Sequence, residues 1–193
     1  MLGRAVVAVA AMLWLGYTPA VPAAGVSEQV VDAELREALK KAANEAGSFT
    51  DRFDAVVWMS DMSKRLEKKI PDAAFRVELL KAVHHEATRA GLQPELVLAV
   101  IHIESNFSLY AISSVGARGL MQVMPFWLKE IGRPDDNLFQ LQTNLRYGCT
   151  ILKHYLDKEK GNRTRALSRY NGTREYSYAA KVFHLLHTSW RPQ

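Results

Sequence analysis

Between Pro94 and Glu104 the chain reads Pro-Glu-Leu-Val-Leu-Ala-Val-Ile-His-Ile-Glu, a helix-length run that is apolar on nearly every face. A helix of this kind loses its apolar surface to water unless other elements surround it, so the rest of the chain must supply packing faces for a buried central helix. Pro94 suits its first turn, where the missing N–H would have no partner in any case. At its far end stands a carboxylate, Glu104, among Val100, Ile101 and Ile103, with Phe107 just beyond. The negative end of the helix dipole and desolvation both favour the protonated form there, which is what a general acid near neutral pH requires. An isolated glutamate in this position would more often be the solvent-facing end of a core helix. What gives Glu104 its weight is the stretch from Ser113 to Pro125.

The segments around this helix also carry helical periodicity. Ser27 to Ala46 has Val30, Val31, Leu35, Ala38 and Leu39 on one stripe, and Asp51 to Lys69 has Phe53, Val56, Val57, Met59, Met62 and Leu66. Pro71 stops the second, and Asp72 is placed to cap a third that runs to Gly91. After Glu104, the stretch from Ser105 to Gly119 is rich in Ser and Gly and has no steady period, so it reads as an ordered loop with at most a minor hairpin. Pro125 opens a short helix ending near Gly132, and Asp135 or Asp136 is placed to cap a long one with Leu138, Leu141, Leu145, Gly148, Leu152 and Tyr155 inward. Arg163 to Tyr170 and Glu175 to Trp190 complete the set, separated by the turn signal Asn171-Gly172. No alternation of apolar and polar residues is sustained enough for a strand, so the fold class is all-α.

Length and composition fit one compact core with a smaller helical extension. Residues 1–23 read as a secretory signal, with Arg4 as the charged region, Ala5 to Leu15 as the apolar region and small residues before a cleavage site after Ala23. The apolar run is short for a membrane span, so an exported, periplasmic protein without stable membrane insertion is expected. The single cysteine, Cys149, excludes an intramolecular disulfide and falls in a helical run, where burial is expected. The formal charge of +5 suits an anionic wall polymer or solubility, and there is no basic stripe interleaved with aromatics that would point to nucleic acid. His84-His85-Glu86 begins like a helical zinc motif, but Arg89 stands at the second ligand position, and no metal or other cofactor is expected.

Four blocks then stand in order: Glu104-Ser-Asn-Phe107; Ser113-Ser-Val-Gly116-Ala-Arg-Gly119-Leu-Met121-Gln122-Val-Met-Pro125; Asn144 with Gly148; and Ala166-Leu-Ser-Arg-Tyr170-Asn171-Gly172. Together, over residues from about 78 to 190, they resemble the catalytic domain of the soluble lytic transglycosylases. The resemblance implies a lysozyme-like, mainly helical domain that cleaves the β-1,4 bond between N-acetylmuramic acid and N-acetylglucosamine in peptidoglycan glycan strands without adding water, leaving a 1,6-anhydro end. It makes Glu104 the acid and then the base, and has Ser113 hydrogen-bond that carboxylate or the sugar. Met121 and Gln122 would line the cleft, Tyr170 would orient the glutamate beside Asn171, and Gly116 and Gly119 would shape the loop. On this reading residues 1–23 are a signal peptide, 24–76 an N-terminal helical extension and 77–193 the catalytic domain. The extension could brace that domain, close one end of its cleft or bind another protein of the cell envelope. Trp58, Phe53 and Phe75 are expected to pack it in place.

The resemblance has a chemical check. A retaining or inverting glycosidase needs a second carboxylate facing the first, and no Asp or Glu lies between Ser105 and Lys129. Glu130, Asp135, Asp136 or Glu175 could be brought up by folding. The competing readings are a hydrolytic muramidase on the same fold and a weakly active wall-binding scaffold of a secretion apparatus. The sequence departs from the family pattern at Ser114, where proline is usual, and in the short turn Gly172-Thr-Arg-Glu175.

Overall fold

The computed structural model describes residues 47–49, 51–133 and 135–191. The signal reading of residues 1–23 and the helix expected over 27–46 lie outside the described residues. Among them are seven helices: α1 (Arg52–Leu66), α2 (Ala73–Arg89), α3 (Pro94–Ser105), α4 (Trp127–Ile131), α5 (Leu141–Lys158), α6 (Arg163–Tyr170) and α7 (Ser177–Thr188). The expected all-α class is what these residues adopt. The hairpin allowed for the central loop is reduced to isolated antiparallel bridges, Ile112 to Arg118 and Arg118 to Val123. None of these helices is long and apolar enough to cross a membrane.

Local chemistry sets several boundaries. Asp51 caps α1 by accepting from the backbone N–H groups of Phe53 and Asp54 at 2.6 and 3.1 Å, and Asp72 caps α2 through Ala74 and Phe75 at 2.9 and 3.2 Å. α5 begins later than Asp135 or Asp136 would allow. Asp136 accepts the Tyr147 hydroxyl at 2.7 Å, and Asn137 accepts from the N–H of Phe139 at 2.9 Å, so both side chains support turns that precede the helix. Leu138 is buried all the same, tucked in ahead of α5.

α3 is the centre of the packing. Every residue from Leu96 to Ile101 is buried, as the all-round apolar run requires, and α2 and α7 pack against it. α5 lies on α2 and α6, and α6 lies on α7. Met59, Met62 and Leu66 of α1 belong to the same hydrophobic core, so a division at residues 76 and 77 would fall within α2. Trp58 packs near Phe49 and His84 and donates its indole N–H to Glu95 at 2.7 Å. Phe53, expected beside it, is 75% exposed on the outer face of α1 and packs nothing in place.

Residues of the failed zinc motif are otherwise engaged. His84 stacks on Phe49 and shares a 2.8 Å hydrogen bond with Ser48, while buried Glu86 pairs with Arg89 and Arg146. Cys149 is fully buried, and burial pushes its thiol well above the ordinary range, so it is an inert core residue.

Candidate active site

Glu104 sits in the last turn of α3 and is half-buried. Immediately after it, Asn106 and Phe107 adopt left-handed backbone conformations (φ 48° and 68°) that turn the chain sharply and drive Phe107 into the core beside Trp190. The reversal ends the helix one residue after Glu104, so the carboxyl emerges at the edge of the core. α7 packs against α3, and its Tyr178 donates a 2.5 Å hydrogen bond to Glu104 Oε1. Burial raises the Glu104 pKa above its ordinary value, while the Tyr178 hydroxyl, which favours the charged form, opposes that rise. The Glu104 charge in turn adds to the burial that raises the Tyr178 and Tyr170 hydroxyls well above their usual range.

The loop between α3 and α4 is fixed to three helices. Ser105 Oγ reaches the Leu120 carbonyl at 2.8 Å, tying the loop to the residue next to Glu104. From α5, fully buried Asn144 accepts from the N–H of Met121 at 2.8 Å and donates to the carbonyls of Leu138 and Arg118 at 2.8 and 2.9 Å. From α6, Tyr170 donates to the Met121 carbonyl at 2.7 Å. Gly119 (φ +73°) permits this arrangement: a Cβ there would stand 2.3 Å from Asn144 Nδ2 and 2.6 Å from the Leu138 carbonyl oxygen.

The residues expected in the site have different surroundings. Gln122, at φ 48°, donates through Nε2 to the carbonyls of Gly119 and Ala111 at 2.9 and 3.2 Å and stays half-exposed beside the loop. Ser113 Oγ accepts from the Ala117 N–H at 3.0 Å, closing the turn that Gly116 (φ +87°) opens; no hydrogen bond joins it to Glu104 among the described residues. Asn171 caps the end of α6 with its side chain exposed. Met121 does not line a cleft. Its side chain is fully buried, laid across α5 where Gly148 has none, and only its backbone reaches toward the site.

The hydroxyl on Glu104 belongs to Tyr178, and Tyr170, expected in that part, holds the loop. Nothing in the sequence singles Tyr178 out, because an aromatic on the buried stripe of an amphipathic helix is ordinary core material.

The close fit at Gly148 gives a prediction. A Cβ there would lie 2.4 Å from Met121 Sδ and 2.7 Å from Met121 Cβ, so Gly148→Ala must displace the methionine at its root. Urea unfolding should show a loss of about 1–3 kcal/mol, the usual penalty for overpacking.

The transglycosylase SLT domain model matches residues 81–179, about half of the chain. The chain belongs to this family. Its SLT domain thus runs from within α2 to the start of α7 and includes Glu104, the central loop, Asn144, Tyr170 and Tyr178. A transglycosylase of Enterobacteria phage PRD1 is 34% identical over 92 residues, covering 48% of this chain and 34% of that protein. Membrane-bound lytic murein transglycosylase F of Desulfosudis oleivorans is 33% identical over 127 residues, covering 63% of this chain and 26% of that one. The SLT chain therefore spans about a third or less of the length of these curated relatives. An inactive mutant of lytic transglycosylase Slt from Pseudomonas aeruginosa aligns with a TM-score of 0.45 at 20% identity, over 81% of this chain and 31% of that one.

Proposed function

We propose that this SLT domain is a peptidoglycan lytic transglycosylase that cleaves the β-1,4 bond between N-acetylmuramic acid and N-acetylglucosamine without water, with Glu104 as the sole acid and base. The observation that carries this reading is a half-buried carboxyl at the end of α3, within the SLT domain, that accepts the Tyr178 hydroxyl at 2.5 Å. Of the acidic groups that folding could have brought up, Asp136 is held by Tyr147, and Glu130, Asp135 and Glu175 are exposed. None of these four hydrogen-bonds Glu104 among the described residues, and a single carboxyl calls for assistance from the substrate itself.

The proton balance closes on one residue. Protonated Glu104 gives its proton to the glycosidic oxygen as the bond from C1 breaks, and the N-acetylglucosamine side leaves as an alcohol. The carbonyl oxygen of the 2-acetamido group stabilises C1. Glu104, now a carboxylate, takes the proton of the C6 hydroxyl as that oxygen attacks C1 and displaces the acetamido oxygen. The product is a 1,6-anhydro end, and Glu104 is again protonated. Tyr178 acts through Glu104 as a positioning residue, and Gln122 stands nearby as a polar group for the sugar. Ser113 and the two loop glycines shape the loop that follows Glu104, and Asn171 stands at the end of α6.

A substrate in the cell wall requires export, so a periplasmic location goes with this reading, as does cleavage of residues 1–23. Of the N-terminal extension, α1 would serve as a brace for the catalytic domain, which is supported by its place in the shared core. Mass analysis of muropeptides released from purified peptidoglycan tests the proposal. Products one water lighter than reducing muropeptides are expected, whereas exclusively reducing products would overturn it.

Tyr178→Phe supplies a sharper test of the acid. Its hydroxyl favours the Glu104 carboxylate, so removing it raises the glutamate's pKa further. The alkaline limb of kcat/KM, where the acid loses its proton, should move to higher pH, and kcat should fall by about tenfold for loss of one hydrogen bond to a charged group. A packing defect alone would lower the rate without moving the limb.

A further inference from the structure

A cleft lies where the end of α5 meets α6 and the turn into α7. It encloses about 600 Å³ and is lined by Tyr155, Glu159, Arg165, Arg169, Arg174 and Tyr176. Three arginines against one glutamate leave a net charge of +2 on its walls. Glu159 is paired with Arg169. Arg165 and Arg174 have no carboxylate partner among the described residues. Unpaired guanidinium groups facing a concavity are suited to gripping carboxylates in a two-pronged geometry.

The wall of this cleft is fixed in place. Buried Ser168 hydrogen-bonds the Glu175 carbonyl at 2.8 Å, while its own carbonyl accepts from Thr173 at 3.0 Å, so the short turn after Asn171 is held against α6. On α6 the cleft residues Arg165 and Arg169 form one stripe, and Ala166 and Tyr170 form the next, with Tyr170 reaching the loop beside Glu104. The cleft and the loop beside Glu104 therefore share α6.

We propose that this cleft binds the peptide stems of peptidoglycan, taking their carboxylates on Arg165 and Arg174. The inference rests on the reading of peptidoglycan as the substrate. A stem carries several carboxylates, an ammonium group on its diamino acid and short apolar side chains. Arg165 and Arg174 answer the first, and Tyr155 and Tyr176 the third, while Glu159 stays paired with Arg169. A densely phosphorylated polymer fits less well, because the two tyrosines would have no apolar partner.

Isothermal titration of the full chain with a free stem tetrapeptide, released from peptidoglycan by an amidase, tests the proposal without any cleavage of glycan. The tetrapeptide is expected to bind, and Arg165→Ala with Arg174→Ala should weaken binding at least tenfold. Amidation of the peptide's carboxylates should weaken it to a similar extent. Both arginines are exposed, so the double variant should keep its fold, which circular dichroism checks. Glu104→Gln should bind the tetrapeptide as the unmodified chain does, so loss of cleavage and loss of stem binding remain distinct results. Absence of binding, binding indifferent to both the double variant and amidation, or tighter binding of inorganic phosphate than of the peptide would overturn the proposal.

Discussion

Glu104→Gln is expected to lower muropeptide release by about 10²–10⁴-fold, the range for removal of a general acid or base, with the upper part favoured because one group performs both proton transfers. The amide keeps the shape and can still accept the Tyr178 hydroxyl, so the effect is chemical. Stability should move the other way with pH. In the folded chain the Glu104 pKa stands above its ordinary value of 4.5, mainly through burial. The folded state therefore holds this proton more tightly than the unfolded chain does. The resulting stabilisation is complete below the ordinary carboxyl range and is lost as pH rises through the raised value. Glutamine behaves as a carboxyl that never ionises. The variant should thus melt close to the unmodified chain at acidic pH and above it at mildly alkaline pH, which thermal melts at the two extremes would show. A variant less stable at alkaline pH would contradict the assigned desolvation.

Asn144→Asp should be the most destabilising of the substitutions considered, by at least about 3 kcal/mol in urea unfolding. The side chain is fully buried and uses its amide in both senses, accepting from Met121 and donating to Arg118 and Leu138. A carboxylate of the same shape keeps the first bond but sets an acceptor oxygen against two carbonyls. Each orphaned buried group costs about 1–3 kcal/mol, and an ionised carboxylate without a cationic partner costs more. Protonation would restore one donor, so part of the loss should be recovered at low pH. Activity should fall along with stability, because Asn144 fixes the loop that carries Gln122.

What could be read from the sequence differs from residue to residue for physical reasons. The burial of α3 was legible because a run from Leu96 to Ile101 that is apolar on all faces has no stable exposed form. Asp72 was legible as a cap because capping is local chemistry. Asp136 was not, because it had a choice between a helix start and Tyr147, eleven residues away, and tertiary packing decided for the tyrosine. Met121 was misplaced for a similar reason: a methionine in a polar loop fits a cleft wall until Gly148 offers it a slot on α5. Tyr178 lay beyond sequence reasoning altogether. Its contact with Glu104 spans 74 positions and depends on how α7 settles on α3. The site was therefore visible in outline from its glutamate and its loop, while the groups that hold them became visible only through packing.

On the proposed mechanism one carboxyl cleaves the glycan without water. Digestion of purified peptidoglycan in water enriched in oxygen-18, followed by mass analysis of the released muropeptides, tests it most directly. The expected products are 1,6-anhydro ends that carry no heavy oxygen, produced by the unmodified chain and lost with Glu104→Gln. Heavy oxygen at newly formed reducing ends would contradict it, showing that water attacks C1 and that a second group activates that water.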